Sequence, residues 1–497
     1  MATIESDRTL VYRVSPATFY NNFGGFKMLL RRFTYVAQWL ALVTGLGLTG
    51  CALDTPDTAQ QPRNVILIIG DGMDDHQITI ARNYLKGATG KLVVDQLPRR
   101  ASVQVLTVAE DEPEQPLYVA DSANSATAIA TGVVTSRGRI ATSAGDDRDL
   151  PTIVELAKAA GLRTGIVTTA SITDATPASF IAHINARGCE GPSTMISGKS
   201  FGGWVTNCEQ DLRQNGGQGS IAEQLAASDV DLLLGGGLKH FQQPLNSDSE
   251  RNSLDIAREQ GYQVITRKDQ LSVVDSDSKL LGLFAPGTLP VSLRGENGNS
   301  AKTLADSRQQ KAITPEPYSC EVNPAHETVP TLPAMTATAL KSLGNSERGF
   351  FLMVESASID KQSHMRRPCG SIGELQALDD SVQLALDYAQ KYPNTLVLVT
   401  ADHGQAAQLI PYPSLFDGMP GAHSLGHVAV LRTAEGSLMG VNYATNSAMI
   451  EEHTGTQVPL LANEQLPSDL GANIQQPELF AIMRDYLGLQ SPQLSGN

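Results

Sequence analysis

The ordered pattern of the chain opens at Val65-Ile66-Leu67-Ile68-Ile69, five consecutive apolar positions that stop at Gly70-Asp71-Gly72. A β-branched run without polar alternation predicts a strand covered on both faces, as in a parallel sheet between layers of helix. Helix and strand periods then alternate. Helices are predicted over 151–160, 178–186, 221–227, 253–259, 334–343, 372–390 and 477–487, and strands over 164–169, 231–234, 262–266, 350–355 and 395–400. This alternation implies right-handed crossover units and an α/β fold: one large, mostly parallel central sheet sandwiched by helices in three layers, a single domain with loop insertions. Between 272 and 327 the pattern gives way to Gly, Pro, Asp and Ser, read as surface loops over the sheet edge. Gly235-Gly236-Gly237 follows a strand but lacks the flanking residues of a phosphate or dinucleotide loop, so it reads as a tight turn.

One segment departs from these amphipathic elements. Ser122 to Thr131 carries no charge and ends at Gly132, which predicts a helix with a glycine cap. Ser122 would lie in its first turn, where unpaired backbone N–H groups favour an anion, and it is the candidate nucleophile. By itself the pair Asp121-Ser122 also reads as a plain N-cap.

Composition and charge narrow the chemistry. Of 497 residues, 18% are charged and 41% hydrophobic, ordinary for a globular protein, and the net charge is −15. That balance excludes nucleic acid as a binding partner through a general basic face. An anionic substrate would need a local positive field, which points to metals. Residues 1–27 read as a doubtful extension before the true start at Met28. Residues 28–50 have the basic and apolar regions of an export signal, ending in Leu48-Thr49-Gly50-Cys51, which resembles a lipoprotein cleavage box. Cys51 would be lipidated and tethered by the polar stretch 51–63. The remaining Cys189, Cys208, Cys320 and Cys369 form an even set suited to an oxidising compartment, and sequence order favours 189–208 and 320–369, each worth about 2–4 kcal/mol. No CxxC spacing supports a zinc cluster instead.

Acidic and histidine residues gather where α/β sheets bind ligands, beyond the carboxyl ends of strands. They are Asp71, then Asp174 and Thr176, then Glu355, Asp360 and His364, then Asp402-His403. Single residues of this kind are usually caps, but four clusters packed together would repel and raise one another's pKa, so cations are required. Asp402-His403 and Asp360 with His364 offer carboxylate plus imidazole, which suits zinc. Glu355 and Thr176 are hard oxygen donors, which suit magnesium. Spacing does not fix the number of ions. Three divalent ions with Arg187 and Lys361 would turn a five-carboxylate site from anionic to cationic.

The set Gly70-Asp71-Gly72, Asp121-Ser122-Ala123, Asp174-Ala175-Thr176-Pro177, His183 to Arg187, Glu355 through Asp360-Lys361-Gln362 to His364, Asp402-His403 and Glu452-His453-Thr454-Gly455 resembles the alkaline phosphatase family of the bacterial periplasmic type. The likeness runs over 64–487, leaving 488–497 as a tail. It implies two Zn²⁺ and one Mg²⁺: Asp360, His364 and His453 on the first zinc, Asp71, Asp402 and His403 on the second, and Asp71, Thr176 and Glu355 on magnesium. Asp174 and Lys361 would reach the magnesium through waters, and Arg187 would clamp the phosphoryl oxygens. His453 comes from the resemblance alone.

The implied activity is metal-dependent hydrolysis of small phosphomonoesters through a phosphoserine on Ser122 in a periplasmic homodimer, lipid-anchored through Cys51, with the outer membrane weakly favoured. A phosphodiesterase of the same superfamily is the alternative. Sulfatase is disfavoured because no CxPxR is present, and a lipoprotein binding phosphate or metal without turnover would not need every ligand. The chain departs from close relatives at Gln405, where a histidine is usual beside a zinc carboxylate, while the Asp174/Lys361 pair resembles the magnesium subgroup.

Overall fold

The computed structural model describes residues 62–199, 205–273, 277–303, 315–419 and 424–490. The predicted extension, signal, lipidation site Cys51, nearly all of the tether and the last seven residues lie outside them. Ten strands form the main sheet: β1 (Arg63–Gly70), β2 (Arg99–Gln104), β3 (Arg163–Ser171), β4 (Leu232–Gly236), β5 (Tyr262–Ile265), β6 (Lys279–Leu283), β7 (Gly349–Ser356), β8 (Thr395–Ala401), β9 (Val458–Ala462) and β10 (Asn473–Gln475). Their order is β10-β2-β9-β8-β1-β7-β3-β4-β6-β5. Only β9 runs antiparallel to its neighbours β8 and β2, so the mostly parallel sheet is as predicted.

β1 is buried along nearly its whole length, as an unalternating apolar run requires. Helix Pro368–Lys391 packs with it from a group that also holds Asp75–Lys86 and Leu332–Leu343, and Glu478–Leu487 packs with it from a second group that holds Ser122–Thr131 and Ile153–Ala159. Residues 60–497 make one compact unit. A smaller antiparallel sheet of Lys302–Thr303, His427–Arg432, Leu438–Tyr443 and Gln408–Ile410 is inserted beside it. Both favoured disulfides, Cys189–Cys208 and Cys320–Cys369, are formed.

Two expectations need correction. The helix predicted over 178–186 is not formed: only Ala175–Ala178 is helical, started by the Asp174 side chain on Ala175 N–H. The chain then extends so that Ile184 pairs with Ile140, and that backbone pairing replaces helical bonds. The region 272–327 is not loop throughout, because Lys279–Leu283 enters the main sheet between β4 and β5. The glycine triplet is the turn expected, with Gly237 at φ +95°.

Candidate active site

Sheet register alone brings three of the predicted clusters together. β1 lies between β7 and β8, with Ile69 opposite Glu355 and Gly70 opposite Ala401. Asp71 and Asp402 therefore leave adjacent strands one residue later. Gly72 N–H donates to Asp402 Oδ1 at 3.0 Å, tying the two exits. Glu355 sits opposite Thr168 of β3 and accepts its hydroxyl at 2.5 Å. Thr176, buried, is in the first turn of the short helix that Asp174 caps.

Ser122 begins the predicted helix, Ser122–Thr131, whose ten residues are all buried. Asp121 is the N-cap: its Oδ1 accepts Asn124 N–H at 3.0 Å, and Asn124 Oδ1 accepts Asp121 N–H at 2.8 Å. Ser122 Oγ lies 3.1 Å from His403 Nε2 and 3.5 Å from Asp71 Oδ1. His403 Nε2 lies 3.4 Å from Asp71 Oδ1 and 3.3 Å from Asp402 Oδ2. The nucleophile candidate thus touches the Asp71/Asp402/His403 cluster.

In the second cluster, His364 and His453 place their Nε2 atoms 3.3 Å from Asp360 Oδ1 and 3.0 Å from each other. The Nδ1 atoms of His364, His453 and His403 meet the carbonyls of Glu451, Ala120 and Gly404. A proton on Nδ1 serves those acceptors, and the three Nε2 atoms face carboxylates: His403 towards Asp71 and Asp402, His364 and His453 towards Asp360.

The electrostatics test whether cations fit. Burial, then the charges of Asp402 and Asp360, push Asp71 well above the carboxylate range, and burial raises Glu355 to about 8. Burial lowers His403 to about 4, keeping a neutral ligand. Burial also opposes ionisation of Asp360, but the charge of His364 and the hydrogen bond from His453 more than offset it. Asp402 Oδ2, wholly buried, has no hydrogen-bond partner. Each trio can bring one ligand atom per residue within 4.8 Å of the others. An orphaned carboxylate oxygen, the neutral His403 imidazole and crowded acids make a donor set that cations fit.

Arg187 is held by two carboxylates, Nη1 to Asp121 Oδ2 and Nη2 to Asp174 Oδ1, each 3.1 Å. Lys361 Nζ lies 2.7 Å from the other Asp174 oxygen. Burial disfavours all these charges, yet Lys361 and Arg187 hold Asp174 well below its ordinary range and both cations are raised. A cleft of about 900 Å³ opens over Ser122, Arg187, Lys361, His364 and His453. Gln405 donates from Nε2 to Asp360 Oδ1 at 2.5 Å, the position predicted for it.

Of the predicted site residues, Ser122, Asp174, Arg187, Asp360, Lys361, His364 and His453 line this cleft, and Asp71, Asp402 and His403 meet at Ser122 beneath it; Cys51 lies outside the described residues. Sequence reasoning missed that Asp121 holds Arg187 and that Thr168 meets Glu355. The first carries no local signal. The second follows once the β3–β7 register is known.

The chain is similar to known proteins over most of its length. The family model described as alkaline phosphatase matches residues 62–486. A streptomycin-6-phosphate phosphatase of Streptomyces griseus is 42% identical over 86% of this chain and 91% of its own length. The alkaline phosphatase of Escherichia coli strain K12 is 39% identical over 86% of each. Among solved structures, a variant of the alkaline phosphatase of the Antarctic bacterium TAB5 with Mg bound in its M3 site aligns at TM-score 0.57 and 25% identity, covering 86% of this chain and 99% of that one.

Proposed function

Because the chain belongs to the alkaline phosphatase family, a metal-dependent family of phosphoric monoester hydrolases, we propose that Ser122 is its nucleophile and that two Zn²⁺ and one Mg²⁺ are its cofactors. Asp71, Asp402 and His403 hold one zinc, Asp360, His364 and His453 the other, and Asp71, Thr176 and Glu355 the magnesium, with Asp174 and Lys361 bonded to one another beside it. When bound, the metals neutralise phosphate and oxyanion charge and lower the pKa of the oxygens they touch. The observation that carries the reading is the contact of Ser122 Oγ with both His403 and Asp71 at the start of a buried helix.

Ser122 Oγ, having lost its proton, attacks phosphorus in line. The ester oxygen leaves as the alcohol, and the phosphoryl group stays on Ser122. Water then attacks phosphorus, the P–Oγ bond breaks, Ser122 Oγ takes back a proton that the water gives up, and inorganic phosphate is released as the second product. Arg187, pre-oriented by Asp121 and Asp174, presents its fork to two non-bridging oxygens. A diester would set an ester oxygen against that fork, so monoesters are the substrates. Ser122→Ala should abolish trapping of ³²P-phosphate at acid quench and reduce kcat by about 10³-fold or more. Undiminished labelling of the variant would remove Ser122 from this role.

We read 64–487 as the catalytic domain and 28–50 as the export signal, with a lipid anchor at Cys51, a periplasmic location and a homodimeric state. The two disulfides suit that compartment. Mass spectrometry of the mature N-terminus and sedimentation of the purified enzyme test these assignments.

A further inference from the structure

Arg366 takes no part in the chemistry above, yet it is one of four non-glycine residues with positive φ among those described, at +58°. Its guanidinium is used on every nitrogen. Nε donates to Glu451 Oε1 at 2.6 Å, Nη1 to Met449 O at 3.0 Å and Nη2 to Ala448 O at 2.6 Å. Glu451, whose side chain is wholly buried, uses its other oxygen to accept the N–H and hydroxyl of Thr445 at 3.0 and 2.5 Å. The backbone of Glu451 then grips a metal-ligand candidate from both sides. Its N–H donates to His364 O at 3.1 Å, and its carbonyl faces His364 Nδ1 at 2.5 Å. Arg366 N–H donates to Ser363 O at 2.9 Å, which closes the turn behind the helix Ser358–His364.

These contacts join the helix that carries Asp360 and His364 to the return loop that carries His453. No strand does so. We propose that the Arg366–Glu451 pair is a positioning device for the Asp360/His364/His453 cluster: it fixes the carbonyl that sets the His364 tautomer and the loop that delivers His453. The inference rests on the reading that this trio binds a metal.

Stability alone is a poor reason for the arrangement. A buried ion pair is often no better than apolar packing, and a left-handed backbone is adopted more easily by glycine. What Arg366 adds over glycine or a hydrocarbon is geometry at three acceptors of one loop, on Ala448, Met449 and Glu451. Partners that orient metal ligands typically change affinity about 10–100-fold.

The test is zinc competition against a chromophoric chelator, with elemental analysis, on wild type, Arg366→Gly, Arg366→Met, Arg366→Lys and His453→Ala. Wild type should hold two zinc ions and His453→Ala should lose one. Arg366→Gly and Arg366→Met should weaken one zinc by about 10–100-fold and leave the other at wild-type affinity. Arg366→Lys, which keeps the charge beside Glu451, should recover part of the loss. Arg366→Gly matters most, because glycine accepts the backbone conformation and so separates the device from the turn. If Arg366→Gly binds both ions as wild type does, or if both sites weaken equally, the proposal is overturned. If Arg366→Met does not fold, Glu451→Gln, which keeps the shape and lowers the charge, carries the same prediction in smaller measure. Two tightly held ions in His453→Ala would instead overturn the metal assignment beneath it, whatever Arg366 does.

Discussion

Asp71, Asp402 and His403 continue two neighbouring strands, whereas Asp360, His364 and His453 sit on a short helix and a return loop. The first trio is almost wholly buried, at 1%, 0% and 1% exposure. In the second, the histidine side chains are 14% and 12% exposed. Strand register places the first trio before any metal arrives. The second depends on backbone carbonyls from distant loops and on the Gln405 and Arg366 contacts. Geometry set by sheet hydrogen bonds is cheap to preserve, and geometry set by loops needs dedicated side chains. Ser122, the proposed nucleophile, touches the strand-borne trio.

The sharpest way to break this contrast is to delete a ligand from each side. Asp402→Asn should reduce kcat/KM by about 10³-fold or more, because it removes a buried carboxylate charge from the trio that touches Ser122. His453→Ala should reduce it less and should respond to added zinc. Equal losses, unrescued in both, would erase the distinction. Next in size is Arg187→Ala, which removes two charge-assisted hydrogen bonds worth about 1.5–3 kcal/mol each. Steady-state kinetics should show kcat/KM down by about 10²-fold or more and inhibition by phosphate weakened alongside it.

Glu355 supplies a pH version of the comparison. In metal-free protein its carboxyl is raised from 4.5 to about 8, chiefly by burial. The folded state then holds a proton that the unfolded chain has released, so this contribution is full below pH 4.5 and is lost as pH rises towards 8. Urea midpoints of chelated protein should fall between pH 6.5 and 8. Glu355→Gln should make that fall shallower, and metal loading should remove it. An unchanged slope in Glu355→Gln would rule the assignment out. The smallest effect is expected at Gln405. Gln405→Leu strips Asp360 of its donor and should weaken one zinc by about 10-fold, read by chelator competition, with the Asp402 site unaffected.

The same contrast governs what could be read in the chain itself. Val65–Ile69 announces a buried strand, and Asp71 follows directly, so the rigid trio was legible from apolar runs and what ends them. Ser122 was legible because Gly132 closes an uncharged segment, and the helix has the predicted bounds. The paired cysteines followed from their order. His453 lies beyond the small antiparallel sheet with no periodicity leading to it, and only family resemblance could supply it. β6 was missed because Lys279–Leu283 is short, contains a glycine and stands in a polar region. β9 contains Pro459, which argues against an inner strand. Arg366 and Glu451 are 85 residues apart, beyond any local pattern.

One carboxylate joins the helix of the proposed nucleophile to the proposed phosphate clamp. Asp121 caps the serine helix at Asn124, accepts Gly138 N–H at 3.2 Å and holds Arg187 Nη1 at 3.1 Å. The spacing between Ser122 and Arg187 is therefore set in part by one side chain that touches both walls, with Asp174 holding the other arm of Arg187. In genetic terms Asp121 is a point of strong epistasis. Once it is replaced, changes that tune the clamp and changes that tune the helix start no longer have separate effects. Selection can remodel the outer, loop-built wall of the cleft piecemeal, but it must move these three residues together or leave them alone.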